Sequence, residues 1–400
     1  MKYIVIVPDG VADYPIEKLQ GKTPLEYAQT PHMDFLAQNG IVGLVQTIPE
    51  GLPAGSDIGN LSALGYDPRQ SFSGRAPLEA ANLGITLADD EVVFRCNVVT
   101  VEDEKMKDYS AGHISTEEAA ELIKALNEKL GTPKIKFYPG KSYRHLLVLK
   151  TPLAASLAKL RCTPPHDILN QSVHSFLPSG DQKDQILSLM EKAKTILADH
   201  AINKARIAKG ENPANRIWLW GQGQRPQLQS FKEKFGLNGS VISAVDLVNG
   251  IGKMAGLHVL SVPNVTGYYD TNYQGKAEYA LRSLADNDFV FIHIEATDEA
   301  SHNGDLTMKV KCTERIDTEV VKPVLAFAKE HEDVRILILP DHRTPLAKRT
   351  HTKEPVCFVM YGKNIKKIGC VSFCEKEAER SKIFFASGEE MMLSFIQKEL

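Results

Sequence analysis

The chain lacks the features that would mark a nucleic-acid-binding, secreted or membrane protein. Its 47 lysines and arginines nearly balance 50 aspartates and glutamates, for a net charge of −3, so no charge excess points to nucleic acid or an anionic membrane as a partner. No apolar run approaches the roughly 20 residues of a membrane span. The opening, MKYIVIVPDG, has too few apolar residues for a signal peptide. The six scattered cysteines form no C-x-x-C pair, and we expect reduced thiols in a cytoplasmic protein.

What the chain does have is a series of short, continuous apolar runs separated by helix-like stretches. Such runs are typical of parallel strands that are covered on both faces, and their alternation with helices predicts an α/β sheet flanked by helices. The runs are YIVIV (3–7), RIWLW (216–220), LHVLSV (257–262), FVFIHI (289–294), VRILIL (334–339) and PVCFVM (355–360). Helices are predicted over 275–286 and 309–331.

The middle of the chain has a different pattern, with weaker and more alternating strands. Its clearest helix, over 115–131, begins with Ser115 and Glu118, the spacing of a capping box. We interpret this part as an α+β domain inserted into the larger sheet. The predicted division is a core domain of 1–70 and 181–400, and an inserted domain of 71–180.

Aspartates and histidines follow three of the apolar runs directly. Ligands of open α/β sheets bind beyond the carboxyl ends of the strands, so these side chains are expected to meet. Mixed carboxylate and imidazole donors suit Zn²⁺, Mn²⁺ or Mg²⁺, and six candidates are enough for two ions. They are Asp9, Asp298, His302, Asp341, His342 and His351. Taken singly, each could instead be a turn or helix-cap residue.

A nucleophile for such a site is predicted in the stretch EGLPAGSDIGNLSALGYDP (50–68). Ser56 follows a glycine and precedes a run that can open a helix, whose N-terminal N–H groups bind phosphate well. A serine hydroxyl held by a metal ion could ionise and attack phosphorus. The alternative is that Ser56 or Asp57 only caps the helix.

Together these motifs resemble the alkaline phosphatase superfamily. More closely, they resemble the cofactor-independent phosphoglycerate mutases, in the shorter form named for archaea. The resemblance covers nearly the whole chain. The motifs that carry it are VPDGVADYP, KTPLEYAQTPHMDFLAQNG, GSDIGNLSALGYDP, GRAPLEAANLGI, TGYYDTNYQGKAEYAL, EATDEASHNGD and DHRTPLAKRTHTKEPV.

The resemblance implies a site of two divalent ions and a phosphorylated serine. Mn²⁺ is the family's usual ion, with Mg²⁺, Co²⁺ or Zn²⁺ in some members, and 2,3-bisphosphoglycerate is not required. The implied ligand sets are Asp9, Ser56, Asp341 and His342 for one ion, and Asp298, His302 and His351 for the other. Ser56 would be the nucleophile, and Lys253 resembles the family's lysine near the phosphoryl group. Glu299 could orient a ligand or act as an acid or base.

The implied reaction is the interconversion of 3-phosphoglycerate and 2-phosphoglycerate, so the partner would be a small phosphorylated metabolite. A mutase must keep water from the phosphoserine, and an inserted domain that closes as a lid would do so. Arg75 and Glu79 fall in a family motif near the domain junction. The sequence is compatible with a homo-oligomer.

One segment departs from the family pattern. Where its members carry an arginine-rich segment that grips the phosphorylated acid, this chain has DYSAGHI (108–114), with Tyr109, Ser110 and His113 at the arginine positions. Arg95 and Arg144 could compensate. The predicted substrate-binding residues are therefore Arg75, Arg95, His113 and Arg144.

The departure leaves two other functions open. A related bacterial subgroup has been proposed to act as a homoserine kinase, so the second hypothesis is phosphoryl transfer to another acceptor, such as an amino-acid alcohol. The third is a catalytically silent sensor of a phosphorylated metabolite. Because all seven expected metal-site positions are filled, the sequence favours an enzyme over a sensor.

Overall fold

The structure, a computed structural model, describes residues 1–397 of the chain. Its strands are β1 (Lys2–Pro8), β2 (Ile41–Val45), β3 (Glu91–Glu102), β4 (Lys105–Asp108), β5 (Ile135–Tyr138), β6 (Arg144–Lys150), β7 (Arg216–Gly223), β8 (Gly239–Ile242), β9 (His258–Val259), β10 (Phe289–Ile294), β11 (Val334–Ile338), β12 (Val356–Gly362) and β13 (Phe384–Phe385).

The α-helices are α1 (Pro24–Tyr27), α2 (Pro31–Gln38), α3 (Ser56–Ala63), α4 (Pro68–Ser71), α5 (Arg75–Asn82), α6 (Thr116–Leu130), α7 (Ala154–Leu157), α8 (Lys183–Asp199), α9 (Ala201–Ala208), α10 (Phe231–Phe235), α11 (Asp246–Met254), α12 (Tyr273–Ser283), α13 (Ala296–Asn303), α14 (Leu306–Arg315), α15 (Lys322–Glu330), α16 (Glu375–Ser381) and α17 (Gly388–Gln397). Short 3₁₀ helices lie at Glu17–Leu19, Pro165–Ile168 and Val173–Phe176.

The larger sheet has the strand order β13-β2-β12-β11-β1-β10-β8-β9. Its centre is parallel, because β1 pairs in parallel with both β10 and β11, and β10 pairs in parallel with β8. Among the described strands of this sheet, β12 is antiparallel to both of its neighbours, β11 and β2. The predicted α/β class, with a mostly parallel sheet flanked by helices, is confirmed.

Continuous burial explains why these segments form central strands. Every residue of β10 and β11 is buried, as expected for strands that are covered on both faces. Ile4 and Ile6 of β1 share one apolar core with Val320 and Val324 of the long helical segment that covers the sheet. Apolar burial of this kind contributes about 25 cal/mol per Å² to the free energy of unfolding.

That helical segment is continuous but not uniform. Where one helix over 309–331 was predicted, α14 and α15 are joined by a π-helical turn over Ile316–Val321. Pro323 follows this turn, near the start of α15. Proline has no backbone N–H and therefore removes one of the regular hydrogen bonds of an α-helix. This loss explains a local change of hydrogen-bond spacing at this point.

The chain divides into two compact units, Ser73–Pro226 and the rest of the described chain. The smaller unit contains a second sheet of order β4-β3-β6-β5, with β7 also paired to β3. The helix α6 begins at the predicted cap, where the Ser115 hydroxyl accepts a hydrogen bond from Glu118 N–H. With α8 it shares the core of this unit.

The prediction that 216–220 belongs to the parallel sheet is wrong. This run lies in β7, which pairs antiparallel with β3 from Val93 to Val99. The smaller unit therefore extends past the predicted boundary at residue 180. The run 257–262 forms only the two-residue strand β9, and 355–360 lies in the antiparallel β12.

No helix within 1–397 is both long enough and apolar enough to span a membrane. All six cysteines carry free thiols.

Candidate active site

The carboxyl ends of three neighbouring strands bring the predicted acidic residues together. Pro8 of β1 pairs with Ile294 of β10, and Ile6 pairs with Ile338 of β11. Asp9 follows β1 directly, Asp298 lies in the first turn of α13 after β10, and Asp341 follows β11. Because parallel neighbours end on the same edge, all three carboxylates reach one site.

His342 is the centre of the first predicted ligand set. Its Nε2 lies 3.1 Å from Ser56 Oγ, 3.3 Å from Asp341 Oδ2 and 3.6 Å from Asp9 Oδ1. His342, Asp9 and Asp341 are fully buried. The four side chains predicted to hold one ion are therefore adjacent.

The second predicted ligand set is equally close. His302 Nε2 lies 3.0 Å from Asp298 Oδ2 and 3.0 Å from His351 Nε2, and His351 Nε2 is 3.6 Å from Asp298 Oδ1. Asp298 and His302 are four residues apart on α13, so they share one helix face.

The two sets adjoin each other. Ligand atoms of Asp298, His342 and His351 also lie within 4.8 Å of one another, and so do those of Asp9, His293 and Asp341. All seven predicted ligands therefore belong to one continuous cluster. The assignment of each ligand to one ion or the other stays a prediction.

His293 is the member of this cluster that the sequence interpretation missed. It is fully buried, its Nε2 lies 2.9 Å from Asp9 Oδ2, and its Nδ1 lies 3.1 Å from Ser243 Oγ. Burial lowers the pKa of His293 to about 3, so the ring is neutral and holds Asp9 in place. The available signal was a histidine at the next-to-last position of an otherwise apolar strand, three residues before the first residue of α13.

Crowded carboxylates give the cluster the electrostatics of a cation site. Burial, together with the charges of Asp341, Glu295 and Asp298, raises the pKa of Asp9 well above its usual range. Burial and the charge of Asp298 likewise raise the pKa of Glu295 to about 8. Asp9 Oδ1 and Glu295 Oε2 are buried without a hydrogen-bond partner among the described residues. Divalent cations would satisfy these oxygens, so the donor set fits the predicted ions.

Asp298 differs from Asp9 and Glu295 because its hydrogen bonds with histidines favour the charged carboxylate. Although burial opposes ionisation, hydrogen bonds from His302 and His351 hold the pKa of Asp298 well below its usual range. The hydrogen bond to Asp298 in turn raises the pKa of His302 to about 9. Glu299 is half-buried, and its pKa is raised by burial and by the charge of Asp298. Its predicted roles, orienting a ligand or exchanging a proton, stay predictions.

Helix α3 presents Ser56 at its first position, after the extended Gly55. Asn60, one turn later, donates from Nδ2 to Ser56 O at 2.9 Å and to Asp341 Oδ2 at 2.8 Å. This amide links the predicted nucleophile's backbone to a predicted metal ligand. Asn60 could not be singled out from the sequence beyond its place inside the motif GSDIGN.

Lys253 lies on α11, the helix that packs against α3. Its side chain is exposed. The predicted role beside the transferred phosphoryl group stays a prediction.

In the smaller unit, the four predicted substrate-binding residues lie on one cationic and aromatic surface. The Arg95 guanidinium stacks 4.0 Å above the Trp220 ring, and its Nε lies 3.1 Å from Glu79 Oε2. Burial lowers the pKa of Arg95, and the nearby charges of Arg75 and Arg144 lower it further, against the effect of Glu79. Arg75 and Arg144 are therefore both close enough to Arg95 to repel its positive charge.

Aromatic rings join His113 to this surface. Tyr143 lies under the Arg144 guanidinium at 5.5 Å and touches the His113 ring edge-on at 6.4 Å. His166, which the sequence interpretation missed, packs edge-on against Trp220 at 5.4 Å and against Tyr109 at 6.0 Å. No sequence pattern singled out His166, because it lies in a short 3₁₀ helix outside any apolar run.

The segment DYSAGHI forms a closed loop rather than a row of cationic side chains. Asp108 accepts hydrogen bonds from Ser110 N–H and Ser110 Oγ at 2.7 Å, and from Gly112 N–H at 2.8 Å. Ser110 is buried, so it shapes the loop and cannot replace an arginine. Tyr109 and His113 are the loop residues that meet the aromatic rings.

Comparisons with known proteins identify the family. A family model described as 2,3-bisphosphoglycerate-independent phosphoglycerate mutase matches residues 37–203. A protein of that name from Methanosarcina barkeri is 52% identical over 362 residues, which cover 90% of each chain. A probable one from Geobacter sulfurreducens is 46% identical over 397 residues, covering 98% of each. The chain belongs to the 2,3-bisphosphoglycerate-independent phosphoglycerate mutase family.

Solved structures agree with this family. The cofactor-independent phosphoglycerate mutase of Thermoplasma acidophilum aligns over 99% of both chains, with a TM-score of 0.70 and 27% identity. A Pyrococcus horikoshii protein aligns over 99% of this chain and 97% of its own, with a TM-score of 0.82 and 30% identity. The resemblance stated from the motifs is thus confirmed for family and fold.

Proposed function

We propose that the protein interconverts 3-phosphoglycerate and 2-phosphoglycerate through a phosphoserine at Ser56, with two divalent ions and without 2,3-bisphosphoglycerate. The observation that carries this proposal is the position of Ser56 Oγ, 3.1 Å from His342 Nε2, inside one cluster of carboxylates and imidazoles. Family membership supports the reaction, because the curated relatives are named for it. A glycolytic role would place the protein in the cytoplasm with a small phosphorylated metabolite as its partner.

Seven side chains would hold the ions. In this proposal one ion is held by Asp9, Ser56, Asp341 and His342, and the other by Asp298, His302 and His351, with Mn²⁺ as the preferred metal. When bound, two such ions would neutralise the charge on the phosphoryl oxygens and favour ionisation of the serine hydroxyl.

The protein's own groups would prepare Ser56 for attack. Asn60 links the first turn of α3 to Asp341, so the backbone of Ser56 is held beside the carboxylates. The amino end of α3 favours negative charge, which suits both an ionised hydroxyl and an incoming phosphate. Attack by Ser56 Oγ on phosphorus would release the substrate hydroxyl, and the second hydroxyl of the glycerate would then take the phosphoryl group back.

Arg75, Arg95, Arg144 and His113 would bind the carboxylate of the substrate. Arginine pairs with carboxylates through two parallel hydrogen bonds, and stacking on Trp220 fixes the plane of the Arg95 guanidinium. Arg95 and Arg144 would thereby compensate for the arginines missing from DYSAGHI. A mutase must also keep water from the phosphoserine, and we propose that the smaller unit performs this task as a lid.

A coupled assay tests the proposal. The Mn²⁺-loaded protein is given 3-phosphoglycerate, and any 2-phosphoglycerate formed is consumed by enolase, while homoserine with ATP is run in parallel. We expect sustained mutase turnover and no phosphohomoserine. Absence of mutase turnover in protein shown to contain its metal would overturn the proposal, and turnover in the homoserine arm would favour the amino-acid alcohol as acceptor.

A further inference from the structure

Thr344 contacts both predicted ligand sets at once. Its hydroxyl donates a hydrogen bond to Asp298 Oδ1 at 2.5 Å and lies 3.1 Å from His342 Nδ1. Thr344 is fully buried, as is the His342 side chain. A single hydroxyl therefore joins a predicted ligand of one ion to a predicted ligand of the other.

These two contacts determine the proton positions. A hydroxyl has one proton to donate and lone pairs to accept. Because the Thr344 hydroxyl donates to the Asp298 carboxylate, it accepts from His342 Nδ1–H. The His342 proton is then on Nδ1, and the lone pair of Nε2 points toward Ser56, Asp341 and Asp9. Metal-binding histidines commonly use a hydrogen bond on the second nitrogen in this way.

The backbone of Thr344 is fixed from two sides. Thr344 N–H donates to Ala12 O at 3.2 Å, and Thr344 O accepts from Lys309 Nζ at 3.0 Å. Lys309 is itself fully buried and paired with Asp13 at 2.8 Å. The hydroxyl consequently has little freedom to leave its two partners.

A glycine in the preceding turn makes room for this arrangement. Gly10 has φ +59°, and a Cβ built on it would lie 2.5 Å from both Thr344 Oγ1 and Asp298 Oδ1. Only glycine therefore fits at this position, where the φ angle and the short distances act together.

We infer that Thr344 is a positioning residue shared by the two metal subsites, which sets the His342 tautomer and the Asp298 rotamer together. This inference rests on the proposed two-ion function. It implies that loss of the Thr344 hydroxyl weakens the binding of both ions. Loss of a ligand from one set should instead weaken mainly the binding of the ion held by that set. Substitution of such outer partners typically lowers metal affinity by roughly 10- to 100-fold.

The test measures Mn²⁺ binding to metal-free protein by calorimetry, with free Mn²⁺ counted independently by electron paramagnetic resonance. The wild type should bind two ions, and Thr344→Val should bind both on the order of tenfold more weakly. Thr344→Ser retains the hydroxyl and should restore both affinities. Thr47→Val is the matched control, because Thr47 is fully buried and its hydroxyl has no hydrogen-bond partner within the described chain.

Three outcomes separate the possibilities. Two ions bound by Thr344→Val with wild-type affinities would overturn the inference and leave the proposed function standing. Weakening of one ion alone would also overturn it. A wild type that binds fewer than two ions would instead refute the two-ion function. The visible spectrum of the Co²⁺-loaded Thr344→Val and Thr344→Ser variants provides a second readout, which a purely structural role of Thr344 would leave unchanged.

Discussion

At the scale of single residues, burial determines what each titratable group can do. His145 on β6 is a clear case outside the metal cluster, with its Nδ1 accepting a hydrogen bond from Gly140 N–H at 3.0 Å. It is almost completely buried, and burial lowers its pKa to about 3. Since an unfolded histidine has a pKa of about 6.5, the unfolded chain binds this proton first as the pH falls.

His145 should therefore make the smaller unit acid-sensitive. The neutral His145 leaves the free energy of unfolding unaffected above pH 6.5. As the pH falls from 6.5 toward 3, the free energy of unfolding decreases, by about 2 kcal/mol by pH 5. Both tryptophans, Trp218 and Trp220, lie on β7, so urea unfolding followed by tryptophan fluorescence reports on this unit. His145→Gln should lose less stability between pH 7 and pH 5 than the wild type. The exposed His174→Gln is the control, and equal losses in all three proteins would contradict the prediction.

Arg95 allows a second prediction for a single residue. Arg95→Lys keeps the charge but loses the planar contact with Trp220 and the Nε bond to Glu79. We expect KM for 3-phosphoglycerate to rise about tenfold, with a smaller change in kcat. The reason is that the planar guanidinium would bind the carboxylate of the substrate and not the phosphoryl group that reacts. Arg216→Lys on β7 is the matched control. An unchanged KM in Arg95→Lys would remove Arg95 from the substrate-binding residues.

At the scale of elements, several strands could be predicted from apolar runs, whereas their direction and pairing could not. Runs such as 289–294 became strands at the predicted positions because continuous apolar residues require burial on both faces. The same pattern does not encode strand direction. It therefore could not predict that β7 and β12 are antiparallel to their neighbours. Although their role as metal ligands stays a prediction, the clustering of the candidate ligands was predictable because most of them follow the ends of neighbouring strands closely. His293 and Thr344 were not, because one resembles a core residue and the other a turn residue.

The approach of α3 to the strand-end loop is an element-scale feature with a testable consequence. A Cβ on Gly59 would lie 2.4 Å from Asp341 O and 2.9 Å from Asp341 Cβ. Gly59→Ala should push α3 outward and displace Ser56 and Asn60 from Asp341, lowering kcat by at least about tenfold, since small misplacements of a nucleophile are costly. Steady-state kinetics measure this effect, and wild-type kcat in the variant would contradict the close approach.

At the scale of the whole molecule, the two units should respond differently to metal removal. All seven predicted ligands belong to the larger unit. Ions that bind only the folded state stabilise it by about 2.7 kcal/mol when present at 100 times their Kd. For a unit of this size that corresponds to a Tm shift of roughly 5 to 10 °C.

Calorimetry with Mn²⁺ or EDTA tests this difference. EDTA should lower the transition of the larger unit, whereas the unfolding midpoint reported by Trp218 and Trp220 should change little. The Asp298→Asn variant serves as a control, because its larger-unit Tm should depend less on Mn²⁺. A shift of the same size in the tryptophan signal would show that the stabilising ions are not confined to the larger unit.

The most direct test of the central claim is to look for the phosphoryl group on Ser56. Mn²⁺-loaded protein is incubated with 3-phosphoglycerate, quenched in acid and digested for mass spectrometry. The variants Ser56→Ala and Ser62→Ala are treated in the same way. Ser62 lies buried on the same helix. We predict a phosphoserine at residue 56 in the wild type and in Ser62→Ala, and neither label nor turnover in a folded Ser56→Ala. Mutase turnover that persists in Ser56→Ala would contradict the proposed mechanism.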